Sequence, residues 1–278
     1  MKKLLLVLSL STVMAGFSQS VKLPQPSPSQ TIKQNFGLGF IELSYSRPSL
    51  KKRNVFKDQS ELAPINAVWR TGANGATTLY FSDDVVINNV ALKPGKYGLL
   101  SIPGKKDFTL IITKDTTVNQ PNLYKKENDL VRVISPIIKT KEESELFTIQ
   151  FANITYENCD LQLIWGNNQV VLPINTNIKD RVKADVEKSV AGDKPSLGAI
   201  TTYYYEIAKD YPNALLYATK AVNVSKPGFN SFLLKAKIEK ELGDKVSAKA
   251  SALKCIDLAK VSQNDDAVRA AKEFISKL

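Results

Sequence analysis

The sequence predicts an α+β chain in two parts, an antiparallel β-sandwich or barrel followed by an all-α, tetratricopeptide-like helical tail. Three observations carry this. From about Thr31 to Ile174 apolar and polar residues alternate with a period of two. Near Ile178 the period changes to about four. Beyond that point small residues recur after 34 positions, the spacing of tetratricopeptide helix pairs.

Taken in order, residues 1–18 have the build of an export signal. Lys2 and Lys3 precede an apolar run from Leu4 to Ala15, and Gly16-Phe17-Ser18 supplies small residues at a cleavage site before Gln19. The run is too short for a stable membrane-spanning helix, and no second long apolar run follows. Residues 19–30, with Pro24, Pro26 and Pro28, read as an extended linker.

Residues 31–177 form the expected β-domain. Ile41, Leu43 and Tyr45 alternate with polar neighbours, as do Thr77, Leu79 and Phe81, then Phe108, Leu110 and Ile112, then Phe147, Ile149 and Phe151. Asn88-Asn89, Pro94-Gly95, Pro103-Gly104-Lys105 and Gly166-Asn167-Asn168 supply turn chemistry between eight to ten short strands. The alternation, without crossover helices, favours antiparallel pairing. Residues 178–278 form the helical part. Ile178, Val182, Val186 and Val190 make a narrow stripe, expected to dock the tail onto the β-domain. Ala214, Ala218, Ala221 and Val222 recur as Ala248, Ala252, Cys255 and Ile256. The alanines let paired helices approach closely, and a last helix with Val268, Ala271 and Ile275 caps the stack.

Composition removes whole classes of function. The chain of 278 residues has no histidine, so Ser-His-Asp and Cys-His catalysis and histidine zinc sites are excluded. Its formal charge is +11, but the excess is spread; residues 178–278 hold 18 basic and 13 acidic side chains. A nucleic-acid binder concentrates its charge, and none is expected as a partner. Cys159 follows the inward phase of Leu161, Leu163 and Trp165, and Cys255 lies on an apolar helix face; both read as small buried hydrophobes.

Enzyme motifs fall short of their patterns. Ser49-Leu50-Lys51-Lys52 and Ser251-Ala252-Leu253-Lys254 fit Ser-x-x-Lys, but the companion segments of that chemistry are absent. Gly98 and Gly104-Lys105 are one residue too far apart for a phosphate loop. No catalytic residue, metal ligand or cofactor is assigned. A hydrolase acting on glycans or peptidoglycan would need two facing carboxylates about 5–10 Å apart, drawn from residues such as Glu42, Asp83, Asp84 and Asp107.

Two stretches suggest binding. Tyr45-Ser46-Arg47-Pro48 and Val68-Trp69-Arg70-Thr71-Gly72-Ala73-Asn74 each set an arginine beside an aromatic residue or a rigid turn. Arg47 and Arg70 offer planar donor forks for carboxylate, phosphate or sugar oxygens, and Trp69 offers a face for stacking on a ligand. Thr71 and Asn74 add short hydrogen-bonding groups, and Lys96 and Tyr97 form a further candidate pair. The plain structural reading stands beside this one, with Trp69 as a core plug and the arginines as loop ties.

The same segments, with Pro94-Gly95-Lys96-Tyr97-Gly98-Leu99, Ile102-Pro103-Gly104, Phe151-Ala152-Asn153 and Leu161 to Trp165, resemble the secreted domain-of-unknown-function family numbered 2911. Gly75 departs from the alanine expected there. The resemblance covers roughly residues 22–175, and the tail is similar to a helical extension carried by many members. It implies a Bacteroidota origin, a Gram-negative periplasmic or extracellular setting and a compact β-domain, but no activity. The expectation is an exported, non-enzymatic binding or scaffold protein, with a small molecule, glycan or envelope protein as partner and no integral membrane segment after signal cleavage.

Overall fold

The computed structural model describes residues 23–58, 60 and 62–278. The expected export signal lies outside the described residues. Ten strands are found among them: β1 (Ser29–Phe36), β2 (Gly39–Ser46), β3 (Thr78–Phe81), β4 (Val85–Ile87), β5 (Val90–Leu92), β6 (Gly95–Pro103), β7 (Asp107–Thr113), β8 (Asp129–Pro136), β9 (Ile138–Ala152) and β10 (Asn158–Asn175). They build a six-stranded sheet, β1-β2-β3-β6-β7-β8, and a four-stranded sheet, β5-β4-β10-β9. Every strand pairing is antiparallel, as the alternation requires.

The inward sets meet in one core. Leu43, Leu79, Leu99 and Leu110 of the large sheet and Ile149, Leu161, Leu172 and Ile174 of the small one are all sealed from solvent. The chain beyond β2 then changes sheets. Pro48 and Leu50 bond to Phe147 and Glu145 of β9, and Ser49 bridges to Leu146, so that edge of the sandwich is laced shut.

Turn chemistry placed the strand ends with two corrections. Asn88 (φ 48°) and Asn89 (φ 63°) make the two-residue turn joining β4 to β5, a conformation asparagine tolerates. Gly166-Asn167-Asn168, however, is no turn. It lies inside β10, where Gly166 (φ 58°) makes a bulge and the pairing with β9 slips twice. A bulge and a turn demand the same backbone freedom, so a glycine-asparagine cluster fits both. The expected linker is also shorter, since β1 begins at Ser29.

The helices are α1 (Lys179–Ala191), α2 (Leu197–Thr202, continued by a π-helical turn over Tyr203–Ile207), α3 (Tyr211–Val222), α4 (Phe229–Glu241), α5 (Lys245–Val261) and α6 (Asp265–Ser276). From α2 onward each packs on its neighbours in sequence. Asp210 caps α3 by accepting from the Asn213 N–H (3.1 Å), and Asp244 caps α5 by accepting from Ser247 (2.9 Å). These caps share the 34-residue spacing of the alanines. Ala214, Ala218, Ala248 and Ala252 are all buried, which allows close helix approach.

Between α4 and α5 a buried Glu239 carboxylate pairs with Lys235 and accepts from Ser251 Oγ (2.7 Å). Ser251 is thereby occupied in helix packing, and Lys254 of its Ser-x-x-Lys pattern points to solvent. Cys159 and Cys255 are both buried and free. Burial, helped by the Asp160 charge, pushes the Cys159 thiol up to about 11, so it stays protonated.

The valine stripe docks in part. Ile178 is buried at the start of α1, Val186 sits beside Ile200 of α2, and Val190 is exposed. Leu38 of the β1–β2 turn lines one recess with Val182, Val186 and Ile200, so the middle of the stripe faces both the β-domain and α2. Ala252→Leu is expected to overpack the α4–α5 contact and cost about 1–3 kcal/mol, measured as a lower thermal midpoint of the helical circular dichroism signal.

Candidate functional site

The sequence singles out residues 45–48 and 68–74 as a binding surface. Trp69 pairs with Ser101 of β6 through two backbone bonds (2.7 and 3.0 Å). That pairing drives the indole between the sheets, where it stacks on Trp165 at 5.6 Å and 13°. Phe147 packs edge-on at 4.9 Å. The indole Nε1 donates to the Gly72 carbonyl (3.1 Å), so its polar atom is satisfied inside the core. With 4% of its surface exposed, Trp69 has no face to offer a ligand. The stacking expected from sequence is corrected to a core plug.

Thr71 is sealed as well. Its hydroxyl bonds Ser101 Oγ (2.9 Å) and its carbonyl accepts from Thr77 Oγ1 (2.6 Å). The neighbouring Gly72 has φ 155°, and a Cβ there would come within 2.9 Å of the Ser46 carbonyl oxygen. Arg47 Nε donates to the Phe147 carbonyl (3.1 Å) and its Nη2 to Thr148 Oγ1 (2.7 Å), strapping β2 to β9 across the two sheets. Tyr45 adds a second strap, accepting the Ile149 N–H (2.9 Å) and donating to Gln30 (2.8 Å). Burial pushes its phenol above the ordinary value, against the Ile149 bond and the Arg47 charge, so it keeps its donor proton.

Arg70 Nη1 donates to the Asn74 carbonyl (3.0 Å). The Asn74 amide donates to the Ser27 carbonyl (2.9 Å) and reaches Gln25 and Ser46, pinning the proline-rich segment to the loop. Arg70, Asn74 and the proline-rich segment around Gln25 and Ser27 are therefore brought together, with Arg70 and Asn74 partly open to solvent. Lys96 and Tyr97 are not part of this group. They lie near the start of β6, about 13–17 Å along the strand from Ser101. Tyr97 packs on Phe81 and donates to the Lys93 carbonyl (2.6 Å), while Lys96 is exposed.

Of the carboxylates of the hydrolase reading, Asp107 stands apart from the others. Asp83 and Asp84 are held by Arg181 and Lys93. Asp107 opens β7 beside the far end of β6, about 27 Å away along the strand, and Glu42 lies opposite Tyr80 within the sheet. Asp107 therefore faces neither Asp83 nor Asp84 across a cleft of the required width.

The open concavity is elsewhere, where the β-domain meets the helices. Three chain segments line a cleft of about 650 Å³: the β1–β2 turn with Asn35, Phe36 and Gly37, the β9–β10 tip with Ile154, Thr155 and Tyr156, and the end of the π-turn with Glu206 and Lys209. A further recess of about 210 Å³ continues past Thr155, Tyr156 and Glu206 to Ile178. Tyr156 is 52% exposed and presents an aromatic face. Glu206 and Lys209 pair loosely at 3.6 Å, leaving both heads free to exchange bonds with a guest.

Local sequence builds each wall. Gly37 (φ +58°) turns β1 into β2 so closely over Thr176 that a Cβ would fall 2.9 Å from its Cγ2. The Thr176 hydroxyl donates to the Asp84 carbonyl (3.0 Å). Arg181 donates to both Asp83 oxygens at 2.8 Å, and Lys179 pairs with Glu157 at 2.7 Å. Burial pushes the Asp83 carboxyl up, but the Arg181 bonds and charge and the Asp84 N–H outweigh it and hold it below its ordinary value. Of these residues the sequence singles out only Asp83 and Asp84, as carboxylates of a hydrolase, and none as a binding residue. Ile154 and Thr155 stand out in the sequence only as part of an Asn-x-Thr pattern, and the tyrosine run 203–205 marks the π-turn only in retrospect.

Trp69→Ala is expected to cost about 3–5 kcal/mol in a denaturant melt. Arg70→Ala, which loses one part-exposed bond, should cost about 0.5–1.5 kcal/mol. A folded-state carboxyl held below its unfolded value stabilises fully above the latter and loses that contribution as pH falls through the former. Asp83 should therefore contribute fully above 3.8 and fade below it. Thermal melts across pH 5 to 3, a range about that value, should fall more steeply for the wild type than for Arg181→Ala.

No curated protein and no solved structure matches the chain. A family model does, over residues 27–174, the span from just before β1 to the end of β10. Its segments include the Trp69 plug, the Arg47 strap and the β9–β10 hairpin. The chain belongs to the family described as protein of unknown function (DUF2911).

Proposed function

We propose that this is an exported, periplasmic binding protein of a Gram-negative bacterium, without catalytic activity, whose ligand sits in the cleft between the β-sandwich and the helical tail. The single observation that carries the reading is the cleft itself, with a half-exposed tyrosine, amide and hydroxyl groups and a loose ion pair around one concavity. An aromatic face beside exchangeable hydrogen-bonding groups suits a hydroxyl-rich ligand such as a glycan fragment, whose ring stacks while its hydroxyls bond the walls. Export is supported by the basic start and apolar run of residues 1–18. The 34-residue spacing of alanines and helix caps supports a tetratricopeptide-like tail.

Isothermal titration with chitotetraose and with a disaccharide-peptide fragment of peptidoglycan tests this. At least one should bind, and Tyr156→Ala should weaken it by about tenfold or more, with a midpoint shift of no more than about 2 °C. Binding that survives Tyr156→Ala, or no binding by either probe, overturns the reading.

A further inference from the structure

Away from the cleft, the outer face of α5 carries an unusual combination of residues. Val246 is 82% exposed, Leu253 48% and Val261 84%. Val246, Ala250 and Leu253 fall within about 60° of one another around the helix axis. Beside them Ile275, near the end of α6, and Leu278, beyond it, complete the apolar lining of a groove of about 510 Å³. Five residues of its lining are aliphatic, and Lys245 and Lys249 complete it.

Its borders are basic. Lys249 and Lys260 flank the aliphatic strip on one side of α5 and Lys254 on the other. Among the described residues none of the three pairs with a carboxylate; the single acidic residue on α5, Asp257, is exposed on the strip between Leu253 and Val261, so the lysines outnumber it three to one. Lys245, also on the rim, is engaged with the Leu278 carbonyl (2.5 Å). An aliphatic floor between unpaired ammonium groups is the complement of a helix with leucines on one face and carboxylates beside them. A groove receives a rod better than it receives a plane, which favours a helix over a bilayer surface.

Continuity with the stack points the same way. Helices α3, α4 and α5 are each packed by both sequence neighbours, whereas α6 rests on α5 and, more lightly, on α4. The groove runs along the line where α6 meets α5, so a helix seated there would touch both, as neighbouring helices of such an array do. We propose that this groove docks an acidic amphipathic helix of a partner protein.

The test uses the full chain and fluorescence anisotropy. The probe is a labelled synthetic peptide of about 18 residues, about 27 Å of helix, with leucines at helical spacing and glutamates between them. A twin carries lysine for every glutamate. The acidic peptide should bind in the micromolar range, more weakly at high salt, and about tenfold or more tighter than its twin. Leu253→Glu, and separately Lys249→Glu with Lys254→Glu, should each weaken it by about tenfold. All three positions face solvent, so unchanged circular dichroism will show that the fold is kept. Equal affinity for both peptides, no binding, or binding indifferent to Leu253→Glu overturns the proposal. Sedimentation with phosphatidylglycerol vesicles that depends on Leu253, without peptide binding, assigns the face to a membrane and overturns it too.

Discussion

The stack of Trp69 on Trp165 is the contact on which the β-domain depends. The chain between β2 and β3 runs from residue 47 to 77, and its described residues form no strand of their own. Ordering so long a connection costs about 1–2 kcal/mol of backbone entropy per residue. Burial of large aromatics offsets that cost. Trp69 and Phe56 both leave the connection and enter the core, where Phe56 meets Phe108 at 4.8 Å and Trp165 at 5.9 Å. Phe56 holds φ 60°, a backbone state a bulky residue occupies only when its packing insists. Arg47 and Tyr45 then fasten the same edge with hydrogen bonds between the sheets.

That economy explains why the segment most suggestive of binding is used structurally. An arginine, a tryptophan and an asparagine around a glycine are good at recognising ligands because they combine flat apolar area with directional donors. The same properties make them good at recognising the protein's own backbone. Arg47 finds the carbonyl of Phe147, Asn74 finds that of Ser27, and Arg70 finds that of Asn74. The partners of Arg47 and Asn74 are distant in sequence and are supplied by the assembled sandwich, while that of Arg70 is on its own loop.

The junction between sandwich and helices obeys a different logic. Its contacts are few: the approach of Gly37 to Thr176, the burial of Ile178, and the pairs Asp83–Arg181 and Lys179–Glu157. Partly exposed ion pairs contribute little apolar burial and are weakened by salt. A seam held at so few points leaves the β1–β2 turn, the β9–β10 tip and the π-turn standing apart, and the cleft is the space between them. Concavity here arises where three chain segments meet without closing on one another, with Tyr156 left exposed.

Periodicity by itself determined the large features of this protein: antiparallel strands from alternation, helices from the four-residue stripe, and pairing of helices from the 34-residue spacing. These are local rules, because a strand or helix face is set by residues two to four apart. The absence of histidine was equally legible and removed whole chemistries. Tertiary structure alone decided the rest. It alone turned Gly166 into a bulge rather than a turn, sent Trp69 inward, and separated Lys96 and Tyr97 from Arg70. It also assembled a cleft from Asn35, Tyr156 and Glu206, residues more than a hundred positions apart at their extremes. The physical reason is one of range. A side chain's preference for burial or a hydrogen bond is written in its chemistry, but which group satisfies it depends on what the fold brings within about 3 Å.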